Sequence, residues 1–253
     1  MKISQQTIDL LEFYHDKYNQ QAFIEQDPIS VPHQFIQKQD IEIAGLFSAI
    51  ISWGQRATIV KNARLLMQLM DDSPYDFVLH HRVKDLKRFQ NFVHRTFNPT
   101  DLLYLIAALK NYYTKETSLE KIFTGKTIEQ GLVDFHDQLF SLEYAPERTR
   151  KHIATPQRKS TCKRLNMYLR WMVRKDTHGV DFGIWKNVPS SELLCPLDVH
   201  VENYARQLKL ISRKQRDWLT VIELTANLRS IDSEDPVRFD YALFGMGIEK
   251  AVI

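Results

Sequence analysis

Along the chain, apolar residues recur at spacings of three and four, and the strict alternation that marks a half-buried strand is hard to find. Residues 41–53 are apolar on most sides and predict a buried helix. Residues 58–70 are plainly amphipathic, with Ile59, Ala63, Leu66, Met67 and Met70 on one stripe. Asp71-Asp72-Ser73-Pro74 ends that helix, and Ser73 followed by Pro74 starts a short new one. Asn98-Pro99-Thr100-Asp101 opens a helix over 101–113, with Leu102, Leu105, Ile106 and Leu109 inward, and 128–142 continues in the same style. A polar, proline-marked connection follows at 145–160, then a strong helix over about 161–174. Residues 176–195 hold Gly179, Gly183 and Pro189 and read as an irregular insertion. Helices from Val199 to about Leu208, from Asp217 to Leu228 and from Asp235 to Met246 close the chain. The expected class is all-α, and by length the chain is one large domain or two small ones.

Composition adds exclusions. The 253 residues are 43% apolar and 26% charged, the balance of a globular protein rather than a disordered, coiled-coil or collagen-like one. No apolar run approaches the roughly 18 residues that a membrane span needs. The segment Met1-Lys2-Ile3-Ser4-Gln5 has no apolar stretch behind its lysine, so no secretory signal is expected. Two cysteines, Cys162 and Cys195, cannot build a disulfide framework or a four-cysteine iron–sulfur cluster. A reducing, cytoplasmic location is the expectation.

Charge changes the picture more. The formal net charge is only +3, yet the window from Arg148 to Lys175 contains ten basic residues and no acid. Of 34 Lys and Arg, that leaves 24 to face 31 Asp and Glu elsewhere. Such a block reads either as a solvated surface segment or as a directed field suited to a polyanion such as nucleic acid. Lys163, Arg170 and Arg174 recur on one face of its helix.

Within the block, Lys163 opens a helix otherwise filled with Leu, Met, Tyr and Trp. A lysine there opposes the helix dipole, and that field, cationic neighbours and partial burial all favour a neutral amine, the form that attacks an electrophile. The plainer reading is a surface lysine that snorkels or contacts phosphate. Asp198, in Cys195-Pro196-Leu197-Asp198-Val199-His200-Val201, stands just before a helix where a carboxylate caps free backbone N–H groups. A capped carboxylate is also fixed in direction, which suits stabilisation of positive charge. The two matter together only if they face one cavity.

The helix-opening lysine, the Pro-Leu-Asp-Val-His-Val segment after it and the helical N-terminal half together resemble the helix–hairpin–helix superfamily of DNA base-excision glycosylases. Within it the chain is most similar to the 8-oxoguanine glycosylase/lyases, in particular their archaeal branch. The whole chain also resembles a bacterial family of unassigned function sharing the Cys162–Met172 and Cys195–Val201 stretches. The resemblance implies a single bilobal all-α domain over 1–253, with the lobe boundary at roughly 145–160, and a double-stranded DNA substrate carrying a damaged base. It also implies a monomeric enzyme without cofactor or metal, associated with the nucleoid. It assigns Lys163 as nucleophile on the sugar C1′ and Asp198 as catalytic carboxylate. His200 would reach a phosphate. Gln55, Asp240, Phe244 and Met167 would line the pocket of the extruded base, with Trp53 a further candidate, and Arg158, Lys159 and Arg164 would contact DNA.

Two features depart from that pattern. The hairpin before the lysine is usually glycine-rich, roughly Leu-Pro-Gly-Val-Gly, whereas this chain has Thr155-Pro156-Gln157-Arg158-Lys159. Lys163 and Asp198 are 35 residues apart, a longer spacing than usual, with the 179–189 insertion between them. Two other readings stand beside the enzyme: a DNA-binding protein of the same fold without catalysis, and an all-α metal hydrolase. The last lacks any His-Glu-x-x-His spacing among its nine histidines.

Overall fold

The computed structural model describes residues 3–251. Among these the architecture is all-α, with α1 (Gln5–Tyr18), α2 (Gln21–Ile24), α3 (Lys38–Ile50), α4 (Arg56–Leu69), α5 (Pro74–His80), α6 (Pro99–Tyr113), α7 (Ile128–Leu139), α8 (Lys163–Val173), α9 (Val199–Gln207), α10 (Trp218–Arg229) and α11 (Asp240–Glu249). The only β-type pairing among the described residues is an isolated bridge between His94 and Phe97. No helix there is long and apolar enough to cross a membrane. The chain forms two compact units, Ile24–Ala154 and Met1–Phe23 with Thr155–Ile253.

The unit 24–154 is built on α3, which contacts α4 and α5, while α6 contacts α5 and α7. Ile43, Ala44, Phe47, Leu66, Met67, Leu102, Leu105, Ile106 and Leu132 fill its core. α6 starts where Asn98 accepts from the Thr100 and Asp101 amides while Asp101 returns a bond from the Asn98 amide, with Pro99 in the first turn. Inside α3, Glu42 is fully buried, and its carboxylate accepts from the Tyr113 hydroxyl (2.8 Å), the Leu119 amide (3.1 Å) and Ser118. Neutral donors thus replace the water it lost.

The second unit joins the two ends of the chain. α11 lies between α1 and α9, and two glycines let them approach. A Cβ at Gly245 would sit 2.2 Å from the Tyr18 ring of α1, and one at Gly247 would sit 2.7 Å from the His200 Cβ of α9. Neither neighbour leaves room for a methyl group. The segment expected as one helix over 235–246 is instead a 3₁₀ turn at Pro236–Phe239 followed by α11. Pro236 has no amide hydrogen, and the Asp235 carboxylate is engaged with Arg174 rather than capping.

The 176–195 insertion is irregular but not a surface loop. Val180, Trp185, Leu193 and Cys195 are buried, and the Phe182 and Trp185 amides donate to the Trp171 and Met172 carbonyls at the end of α8. The insertion therefore satisfies the last carbonyls of that helix.

Candidate active site

Lys163 is the first residue of α8 because Cys162 before it adopts a left-handed backbone (φ 49°), which ends any upstream helix. Asp198 caps α9: its Oδ1 accepts from the Val201 amide at 2.9 Å. Its other oxygen, Oδ2, lies 3.2 Å from Lys163 Nζ. The two helix starts thus bring together the two residues singled out in the sequence. The lysine side chain is 30% exposed and the aspartate 18%, so the pair is reachable from solvent.

Behind this pair lies a buried charge network that the sequence did not reveal. Arg170 and Arg174 share the α8 stripe of Lys163 at helical spacing. Though they lie on the face away from the apolar stripe of α8, they are only 4% and 1% exposed. Arg170 bonds Asp181 (3.3 Å) and Asp240, while Arg174 bonds Asp176 (2.7 Å), Asp235 (2.8 Å) and Asp181 (3.1 Å). Both guanidinium groups also lie over the Tyr241 ring, at 4.2 and 5.5 Å. Burial works against the Arg174 charge, but Asp181, Asp235 and Asp176 outweigh it and keep the group protonated. Asp181, from the insertion, bridges the two arginines and is fully buried. A signal was present: Val180, Phe182, Ile184 and Trp185 are too apolar for a solvent loop.

Asp240 links network and pair. It is buried against Arg170, and close enough to Asp198 and Lys163 for both to act on its charge. Its carboxyl is pushed up to about 6, by burial first and by Asp198 and Asp181, against the opposite pull of Arg170 and Lys163. Cys195, fully buried beside it, has its thiol pushed up by burial and is an inert packing group. Met167, one turn beyond Lys163 on the same stripe, is half-buried. Phe244 is half-buried and meets Phe23 edge-on at 6.0 Å, so part of its ring is engaged in packing. His200 is exposed at the start of α9.

The turn before α8 takes a left-handed backbone without glycine. After a 3₁₀ turn at Pro156–Arg158, Lys159 is left-handed (φ 58°), where the resemblance places the second glycine. The Lys159 carbonyl accepts from the Trp218 amide at 3.3 Å, which fixes the turn to the start of α10. Arg158 and Lys159 are exposed, and Arg164 is half-buried. The element before the hairpin is a six-residue 3₁₀ turn, Glu147–His152, rather than a full helix.

The basic block does not act as one field. Arg148 bonds Asp101 and Arg150 bonds Glu147 within the unit 24–154, while Arg170 and Arg174 are neutralised inside the other unit. The cause is that carboxylates outside the window, Glu147 and Asp176 at its edges and Asp101, Asp181 and Asp240 farther off, pair with its cations. Gln55 belongs to the unit 24–154, exposed at the start of α4 and making no capping bond. Trp53 in that unit stacks on His152 (5.7 Å) and meets His94 edge-on (5.0 Å), a packing role.

Among the described residues, one group of side chains has metal-ligand spacing: Glu12, His15 and Asp16 on α1, with ligand atoms within 4.8 Å of one another. Glu12 already bonds Arg238, and Asp16 is exposed. Burial lowers the His15 pKa, and Arg238 and Arg174 lower it further, so the surroundings are cationic and ill suited to a metal ion.

Neither a curated protein nor a solved structure matches the chain. One family does, described as "Protein of unknown function (DUF2400)", over residues 27–249. That span includes α3 to α11, the turn before α8, the insertion, the Lys163–Asp198 pair and Asp240. The chain is therefore a member of the DUF2400 family.

Proposed function

We propose that this protein is a DNA glycosylase/AP lyase acting on an oxidised purine, with 8-oxoguanine as the first substrate to test. The observation that carries the reading is the Lys163 Nζ–Asp198 Oδ2 approach of 3.2 Å between two helix starts, left partly open to solvent. In the proposed reaction the neutral Lys163 amine attacks the sugar C1′. The glycosidic bond breaks, and the base departs with the bonding electrons and takes a proton. The ring-opened sugar then forms an iminium with Nζ. Removal of a C2′ proton drives β-elimination, in which the C3′–O3′ bond breaks and the phosphate leaves. Asp198 has its direction set by the Val201 amide, so its other oxygen opposes positive charge developing on sugar and amine. As the pair stands, the lysine must give up a proton before attack, and Asp198 lies within reach as acceptor. Asp240, Met167 and Phe244, on the same unit as the pair, are the candidate contacts for an extruded base.

Borohydride trapping on an 8-oxoguanine duplex and on an abasic duplex tests this directly. The expected outcome is a covalent protein–DNA adduct that disappears in Lys163→Gln. No adduct with either duplex sinks the enzyme reading. Salt-dependent binding without an adduct would instead favour the non-catalytic DNA-binding protein, a reading supported by exposed Arg158 and Lys159 at the hairpin.

A further inference from the structure

The exposed side of α4 is composed differently from the rest of its unit. From Arg56 to Leu69 it carries three cations and no acid. Several cations elsewhere in the unit have carboxylate partners: Lys38 with Glu120 (2.5 Å), Arg88 with Asp71 (2.6 Å), Lys121 with Glu116 (2.7 Å) and Arg150 with Glu147 (3.1 Å). No acid of the described residues pairs with Lys61 or Arg64, and both are exposed. Ala57, Lys61 and Arg64 share one helical stripe. Glu25 and Gln26 line the same groove of about 620 Å³ as this stripe, and its three cations, Arg56, Lys61 and Arg64, are set against one acid, Glu25. Val60 and the 39%-exposed Leu65 give the groove an apolar floor under its cationic rim.

That combination selects among polyanions. A phosphate chain needs the cations but makes no use of an aliphatic floor, and no aromatic side chain lines the groove for a base to stack on. A carboxylate-rich peptide with aliphatic anchors uses both parts. We propose that this groove binds a short acidic segment of a partner protein, with carboxylates on Lys61 and Arg64 and aliphatic side chains on Ala57, Val60 and Leu65. The stripe from Ala57 to Gln68 is about 16 Å long, enough for about five residues of extended peptide. The site uses neither Lys163 nor Asp198 and stands whether or not the lyase reading does.

The test is fluorescence anisotropy of the full chain with a labelled eight-residue peptide carrying three aspartates and two leucines. The same peptide with serines for leucines, and a twelve-nucleotide single strand, serve as comparisons. Saturable binding of the leucine peptide at micromolar protein is expected, weakening with salt. Lys61→Glu with Arg64→Glu should weaken it at least tenfold, Leu65→Ser several-fold, and Lys84→Glu, outside the groove, not at all. Far-UV circular dichroism checks that each variant folds, and Lys61→Gln provides a milder charge change if the double variant does not. The proposal is overturned by no saturable binding, by equal binding of the serine peptide, by groove variants that bind unchanged, or by tighter binding of the oligonucleotide lost in the same variants.

Discussion

The two ends of α8 carry cations on one stripe, and the two ends differ in how those cations are held. At its start Lys163 faces one carboxylate and keeps nearly a third of its side chain exposed. At its end Arg170 and Arg174 are sealed among Asp176, Asp181, Asp235 and Asp240. A cation saturated by buried partners holds structure, because removing it strands several charges in a low-dielectric interior. A cation with a single partner and an open side can exchange that partner for substrate. Like residues on one helical face therefore serve unlike ends, decided by the number and burial of the carboxylates around them.

The sharpest way to break this contrast is Arg170→Met. It leaves Asp240 and Asp181 short of a buried partner and should cost about 3–5 kcal/mol in urea unfolding. Lys163→Gln should move the same transition by less than about 1 kcal/mol, as expected for a part-exposed pair. Equal costs would erase the distinction between the two ends. Asp198→Asn comes next. Asparagine caps a helix nearly as well as aspartate, so stability should hold within about 0.5 kcal/mol. Trapping should nonetheless slow by about a hundredfold, since the charge opposite the sugar is lost. A variant that unfolds early while trapping normally would reduce Asp198 to a capping role.

Asp240 supplies a pH test. Its folded pKa, near 6, lies above the ordinary carboxyl value of 3.8, so the folded state holds the proton more tightly than the unfolded chain. Its contribution to stability is greatest below the lower value and is lost as pH rises from about 4 to about 6. Comparing unfolding free energies of wild type and Asp240→Asn over pH 4 to 7 should show a difference that changes by up to about 2 kcal/mol in that window. A pH-independent difference would place the Asp240 titration elsewhere. The smallest effect belongs to the hairpin. Lys159→Gly relieves a left-handed lysine and should raise stability by about 0.5–1 kcal/mol in thermal unfolding, while lowering affinity for duplex DNA. A loss of stability there would show that the Lys159 side chain, and not its backbone, holds the turn.

Much of the helical content was legible. The periodicity of 58–70 and the Asn98-Pro99 start needed no tertiary information, and α4 and α6 fall within two or three residues of expectation. The Lys163 and Asp198 helix starts were legible too, because caps are local. What was not legible depends on partners far along the chain. α1 is a polar segment, Gln5-Gln6-Thr7-Ile8-Asp9, whose apolar side has meaning only once α11 lies against it. Arg170 and Arg174 looked like solvent charges because Asp235 and Asp240 stand 61 and 70 residues away. Asp181 is near in sequence, but the glycines flanking it suggested a loop, and the buried Trp185 was the cue that it is not.

The pairing of α1 with α11 also sets an order of events in synthesis. Residues 24–154 are continuous and can fold as soon as they emerge. The unit holding Lys163 is discontinuous, and its first helix must wait for α11, whose first residue comes about 220 positions later. Asp240 is the opening residue of that last helix. A chain cut before Asp240 can therefore present Lys163 and Asp198 but not the buried carboxylate behind them, and the candidate site is assembled only after α11 has emerged.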